Sequence, residues 1–309
     1  MRKSVPVLFG LAGFLIAAGL VALIWAPGVV KRTPIENDAT TRLTGEAAKL
    51  DTATGELVPN KVKATSITKS DTKISDDNVV AFTNSSCLLV DTDDAPDCVD
   101  GKDKRLISAS TDVFATDRKT ALAVNSGKYL PDDAVDHDGL INKWPFDAEK
   151  KTYPYWDGTA GKAVDAVYDR TEKVDGLETY VYKVAVQKVP IDVAKGVKGT
   201  YDDLKEIYIE PKTGKIIHQT DDQQRALADG TQALDLQLAF TDDQVKKNVD
   251  DAQDSIGSLK LVTTTIPLVG LIGGGLCLVG GIVLLLASGK GTRATRGRNP
   301  NLLAWDERP

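Results

Sequence analysis

Histidine is almost missing from this chain. It has two, His137 and His218, in 309 residues, and neither has a second histidine near it in sequence. A zinc site is therefore not expected, and a loop or strand histidine is a better reading of each than a catalytic base. Cysteine is nearly as scarce, with three residues and no Cys-x-x-Cys pair, which argues against a thiol redox motif. No His-Glu-x-x-His, Gly-x-Ser-x-Gly or phosphate-binding glycine loop occurs, so the common metalloprotease, hydrolase and nucleotide-binding signatures are all wanting. There is no internal repeat and no low-complexity tract. Excess positive charge is also lacking. The formal charge is −6, and it becomes −11 once the basic termini are set aside: the tail 288–309, with five basic and two acidic residues, and Arg2 with Lys3. A domain of that charge does not attract nucleic acid in bulk.

Two long apolar runs stand out against these absences. Residues 4–30 and 261–289 contain no charged side chain, and within them 5–25 and 266–287 are strongly apolar. About 20 apolar residues cross a bilayer as a helix, so each run is predicted to span. The first could instead be a cleaved signal peptide, given Arg2 and Lys3 at its start. Its apolar length exceeds the roughly 7–15 residues of such segments, however, and Trp25 suits an interfacial anchor. An uncleaved anchor is the favoured reading. Basic residues flank both runs on the outer side, with Arg2 and Lys3 before the first and Lys290, Arg293, Arg296 and Arg298 after the second. By the positive-inside rule both ends are cytoplasmic. The predicted organisation is a cytoplasmic start (1–4), a first span (5–26), an extracytoplasmic domain (31–260), a second span (266–287) and a basic cytoplasmic tail (288–309). In the second run Gly270 and Gly274 form a Gly-x-x-x-Gly pair, which permits close helix packing against the first run at Gly13 and Ala17 or against another copy.

Between the spans the pattern is that of strands. Residues 61–68, 78–82, 87–91, 106–110 and 121–124 are short or weak candidates. Clearer ones are 163–169, 177–189, 206–210, 215–219 and 234–240, with branched and aromatic residues in alternation. Val174-Asp175-Gly176-Leu177 and Glu210-Pro211-Lys212-Thr213-Gly214-Lys215 read as tight turns. Residues 31–57 are polar and read as a juxtamembrane strand or loop, and 241–259 as a stalk helix. The fold class is mainly β, an antiparallel, barrel-like α+β extracytoplasmic domain flanked by two transmembrane helices.

Cys87 and Cys98 lie close together in that domain and are predicted to form a disulfide, with two free thiols as the alternative. Around them Asp91, Asp93, Asp94, Asp97, Asp100 and Asp103 could offer oxygens to Ca²⁺. The spacing is not that of an EF-hand, and a solvated acidic loop is preferred. Ser66-x-x-Lys69 and Ser70-x-x-Lys73 have the form of a serine–lysine pair, but on a plain strand they are read as chance. No metal ligand, cofactor or catalytic residue is nominated. The densest feature is aromatic: Trp144, Phe146, Tyr153, Tyr155 and Trp156 place five of the chain's eighteen Phe, Trp and Tyr residues within thirteen positions. Pro145 and Pro154 stiffen the segment in extended form. These five rings are the candidate ligand-binding residues, suited to sugar faces or acyl chains; the alternative is that they are the domain's aromatic core.

The run Asn142-Lys143-Trp144-Pro145-Phe146-Asp147 through Thr152-Tyr153-Pro154-Tyr155-Trp156-Asp157 resembles a family of actinobacterial envelope proteins designated PorA-family porins. So do Val174-Asp175-Gly176-Leu177-Glu178-Thr179-Tyr180 and Glu210-Pro211-Lys212-Thr213-Gly214. The likeness covers nearly the whole chain, including both anchors. It implies an extracytoplasmic domain between two plasma-membrane spans and, from some relatives, a part in maturing lipomannan and lipoarabinomannan. It brings no established catalytic residues. The topology is also similar to that of class B scavenger receptors. The predicted function is to bind or hand on a lipid or lipoglycan intermediate, with membrane lipid or lipoglycan as partner. The rivals are a glycan-processing enzyme using paired carboxylates, and a scaffold for membrane glycosyltransferases. Porin activity is not expected, because a β-barrel pore has lipid-facing strands and no helical anchors.

Overall fold

The computed structural model of the chain describes residues 4–92 and 95–290. Arg2, Lys3, Arg293, Arg296 and Arg298, on which the predicted orientation rests, lie outside the described residues, as do Asp93 and Asp94 of the acidic loop. The chain forms two compact units, one built from its two apolar runs and one spanning Lys31–Ser258.

In the first unit, α1 (Ser4–Val30) packs along α3 (Ile266–Lys290), which follows a π-helical turn at Leu261–Thr265. Both runs are long and apolar enough to cross a membrane. Their apolar side chains mostly point outward: Phe14, Ile24, Leu276, Val279 and Leu286 are all well exposed. Glycine sets the contact between the helices. A Cβ on Gly270 would lie 2.9 Å from the Leu15 carbonyl oxygen, and one on Gly274 3.1 Å from that of Ala12. The Gly-x-x-x-Gly pair is thus used within the chain, as backbone-to-backbone packing requires, but against Ala12, Leu15 and Gly19 rather than the expected Gly13, whose added Cβ would meet nothing within 4 Å.

The second unit is one ten-stranded antiparallel sheet curled into a half-barrel. Its strands are β1 (Ala39–Leu50), β2 (Leu57–Asp71), β3 (Val79–Val90), β4 (Leu106–Asp117), β5 (Tyr153–Asp157), β6 (Lys162–Val174), β7 (Leu177–Ala194), β8 (Val197–Ile209), β9 (Ile216–Leu227) and β10 (Gln232–Phe240), followed by α2 (Asp242–Lys260). The order is β4-β3-β2-β1-β10-β9-β8-β7-β6-β5. Two meanders, β1–β4 and β5–β10, therefore meet where the first strand pairs with the last, Leu43 opposite Phe240 and Ala47 opposite Leu236. The edge strands β4 and β5 are linked at one end through the intervening segment, by single bridges Thr116 to Ala123, Leu122 to Leu140 and Leu140 to Tyr155.

Alternation decides which face each side chain takes. On β10, Leu234, Leu236 and Leu238 turn inward and pack with Ala47, Val62 and Leu88. On the other half, Tyr182, Val184, Ile207 and Ile209 pack with Leu140, Trp144, Tyr153 and Ala166. The turn at Asp175–Gly176 has both residues at positive φ, +46° and +81°, joining Val174 to Leu177 as a two-residue hairpin. α2 packs on the sheet by laying Val249 and Ala252 against Ile217, with Val174 and Leu177 alongside.

Two sequence expectations need correction and a third is narrowed. Residues 78–82 and 87–91 are one continuous strand, β3, because Thr83–Ser86 keep full pairing with β2 despite their polarity. Residues 31–57, read as juxtamembrane strand or loop, contain a central strand, β1. The weak strand at 121–124 is instead part of the edge-linking segment, with Ala121 at φ +60°.

Candidate functional site

The aromatic segment divides on folding. Trp144 is fully buried, and its ring lies 5.1 Å from Tyr182 and 5.5 Å from Tyr155. Tyr153 joins them, its hydroxyl accepting the Glu149 N–H, while the Tyr182 hydroxyl donates to the Glu149 carbonyl. Burial pushes the Tyr155 phenol up to about 12. Three of the five rings are therefore brought together as core of the β5–β9 half. The other two leave the group: Phe146 lies under the Lys143 ammonium at 4.0 Å, and Trp156 lies 4.6 Å from His137. The segment is held in place by the turn at 210–215. Glu210 accepts N–H bonds from Lys212 and Thr213, and Gly214 accepts the Trp144 N–H at 2.9 Å.

The other sequence candidates have structural employment. Ser66 accepts an amide N–H of Asn84, and Ser70 donates to Asp38. Among the described residues neither hydroxyl hydrogen-bonds a lysine. His218 lies between Tyr208 and Phe240, and burial lowers its basicity. His137 pairs through Nε2 with Asp112 at 2.9 Å. Asp97 is gripped by Arg42 and Asp103 by Arg105. Among the described residues no cluster of three His, Cys, Asp or Glu is placed to hold a metal ion.

A depression of about 350 Å³ lies elsewhere, on the outer face of β2–β4. The Cys87–Cys98 disulfide, predicted from the sequence, forms one wall, with its Cα atoms 5.7 Å apart. Its lining mixes the hydroxyls of Thr65, Ser85 and Thr111 with the apolar Ile67 and Ala109, while the Ser86 and Ser110 hydroxyls turn to the inner face and bond each other at 2.7 Å. Asp97 stands at the margin, where the Arg42 hydrogen bonds hold its carboxyl below the ordinary range. None of the five aromatic candidates lines it. Pattern reading missed this groove because it joins the outward face of three strands to the cross-linked loop. The cysteine pair was the one signal pointing to it.

A second constellation was not foreseen: an ionic cluster on the inner face. Lys205 on β8 meets Asp203 closely, Asp157 on β5 at 3.0 Å and Asp221 on β9 at 3.6 Å. The Tyr201 hydroxyl donates within the cluster, 2.9 Å from Asp203 and 3.1 Å from Asp157. Arg225 stands nearby, bonded to Gln223. Burial alone would strip the Lys205 proton, but Asp221, Asp157 and Asp203 outweigh it and hold the ammonium charged. Burial also pushes Asp157 upward, and Lys205 outweighs that to leave it low.

Fold and groove together define a class: an antiparallel half-barrel domain carried between two helices able to cross a membrane. The family follows from comparison. The family model described as Porin PorA matches residues 5–283, and the chain belongs to that family. No curated protein matches the chain.

Proposed function

We propose that this is a membrane-anchored cell-envelope protein whose half-barrel domain binds a lipoglycan intermediate by its glycan part, in the groove beside Cys87–Cys98. The groove carries the reading. Its volume of about 350 Å³ reaches the lower end of the scale of ligand sites, roughly 300–1,000 Å³. Its lining suits a sugar, which offers hydroxyls at its rim and C–H groups on its faces; Ser85 and Thr111 supply hydroxyls, and Ile67 and Ala109 an apolar floor. The ligand class rests on the family resemblance, through relatives tied to lipoglycan maturation. The proposed setting is the plasma membrane, with both termini cytoplasmic. A pore fits less well. The inner face of the half-barrel is filled by side chains such as Trp144, Tyr182 and Ile207, and Val167 and Leu204 on the outer face stand among Asp165, Asp169, Asp202 and Glu206 rather than in an apolar band.

The test uses the detergent-solubilised full chain and three probes: a mannose lipoglycan, its deacylated glycan, and its lipid anchor without the outer glycan. The lipoglycan and the deacylated glycan should both bind, and Ala109→Trp, filling the groove at an exposed position, should abolish both. Binding of the lipid anchor alone, or binding unchanged in Ala109→Trp, refutes the assignment.

A further inference from the structure

The inner-face cluster is unbalanced in charge. Asp157, Asp203 and Asp221 bring three negative charges, and Lys205 and Arg225 two positive ones. A net charge in a buried site is costly, and the protein holds this one where Asp203 and Asp157 are both almost wholly covered. The hydrogen bonding is unbalanced in the same place. Asp203 Oδ1 and Asp221 Oδ1 are both buried without a donor, while the second oxygen of Asp203 is served by Lys205 and Tyr201. The two orphans are neighbours: Asp221 is paired across the strands with Lys205, Asp203 is two residues from Lys205 on the same face, and the two carboxyls are in hydrogen-bonding reach. Two facing acceptors with no donor lack one hydrogen, and one hydrogen also removes the surplus charge.

We propose that the carboxyls of Asp203 and Asp221 form a proton-binding site, sharing one proton between their Oδ1 atoms, and that its release loosens the link that Lys205 makes from β8 and β9 across to β5. The step is an acid dissociation. The O–H bond breaks, its electron pair stays on the carboxylate, and the proton goes to water. Two adjacent carboxylates then face each other and the cluster carries one uncompensated negative charge. The charged and titratable groups facing the pair are Asp157 and Tyr155 from β5, Tyr201 and Lys205 from β8, and Arg225 from β9. On the flanking strands β7 and β10 the neighbouring positions are apolar, Val184 and Val186 on one side, Leu236 and Leu238 on the other. Lys162, opposite Asp157 on β6, is exposed. Burial, with Asp221 alongside and against the pull of Lys205, pushes Asp203 up to about 7 from the ordinary 3.8. The folded state therefore keeps a proton that the unfolded chain releases near pH 4. The stabilisation is complete below that value and is lost as the pH rises through about 7.

Asn in place of Asp imitates the protonated carboxyl, neutral and able to donate. The detergent-solubilised full chain is compared with Asp203→Asn and, in case that variant does not fold, Asp221→Asn. In the native chain the infrared spectrum at pH 5.5 should show the carbonyl band of a buried carboxylic acid, which disappears by pH 9 and is missing from either variant. The unfolding equilibrium constant should rise by up to about tenfold per pH unit between pH 5 and 7 in the native chain relative to either variant. Absence of the acid band from the native chain, or the same pH dependence in native chain and variants, overturns the proposal.

Discussion

Gly214 and Gly176 allow backbone strain and steric contact to be separated. Both sit at positive φ, +71° and +81°, in tight hairpin turns. An alanine in that conformation costs about 1–2 kcal/mol from its own Cβ. At Gly176 nothing lies within 4 Å of the added carbon, so that strain should be the whole effect. At Gly214 the carbon would fall 2.0 Å from the Trp144 carbonyl oxygen and 2.7 Å from that of Pro145. Backbone must then move, and this backbone carries the fully buried Trp144 ring together with the Trp144 N–H bond to Gly214 (2.9 Å) and the Ala148 N–H bond to Pro211 (2.8 Å). A buried group left without its partner costs about 1–3 kcal/mol. Losing one or both bonds brings the total for Gly214→Ala to roughly 2–8 kcal/mol. That is a large part of the 5–15 kcal/mol that holds a typical domain. Urea unfolding of the detergent-solubilised chain, followed by tryptophan fluorescence, measures both variants. Gly214→Ala should be the less stable by at least about 1 kcal/mol, or about 2 °C or more in Tm. Agreement of the two variants within about 0.5 kcal/mol would show that the 143–148 segment yields freely, and that the turn does not hold it.

Two other perturbations probe separate parts of the domain. Cys98→Ser opens a loop of 11 residues and should cost about 3 kcal/mol by chain entropy, measured as a shift of the urea midpoint under non-reducing conditions; no shift would mean that the loop is ordered without its cross-link. Lys143 is desolvated and feels Lys215, which together bring its ammonium down to about 7. Reductive methylation followed by peptide mass spectrometry should therefore label Lys143 with a midpoint near pH 7, while labelling of the exposed Lys198 keeps rising at higher pH, and a midpoint for Lys143 near 10 would contradict the burial argument.

Much of this fold could be read from the chain, and the misses share a cause. The two helical runs declare themselves by twenty-odd residues without charge. The hairpin at Asp175–Gly176 and the alternation of Leu234, Leu236, Leu238 and Phe240 are local, so they survive without tertiary information. β1 was legible only as strand or loop because its apolar side chains are few; it is a central strand because Leu43 and Ala47 find β10, almost the whole domain away. β8 begins at Val197, well before the apolar Ile207–Tyr208–Ile209, since Tyr201, Asp203 and Lys205 turn inward and are neutralised there rather than by water. Once the strand is known, the period of two in Tyr201-Asp203-Lys205 and in Asp221-Gln223-Arg225 marks the cluster. Before that the residues are indistinguishable from a solvated face. The aromatic segment shows the reverse difficulty. Ring density was visible, but whether a ring lines a groove or fills a core depends on what stands opposite, and for Trp144 that is Tyr182 from β7.

The pairing of the first strand with the last also fixes an order of events. Leu43 and Phe240 are 197 positions apart, and closing a flexible loop of that length costs about 5 kcal/mol before any contact repays it. Each meander, β1–β4 and β5–β10, needs only short loops and can form early, whereas the β1–β10 seam must wait until the final strand has been synthesised. Contacts of such long range slow folding. Until then β1 is a waiting edge, open to pairing with any passing strand. Arg42, Glu46 and Lys49 are spaced along it, and charge of this kind discourages mispairing at an exposed edge. The polarity that left β1 readable as strand or loop thus protects the middle of the sheet while its partner is still being made.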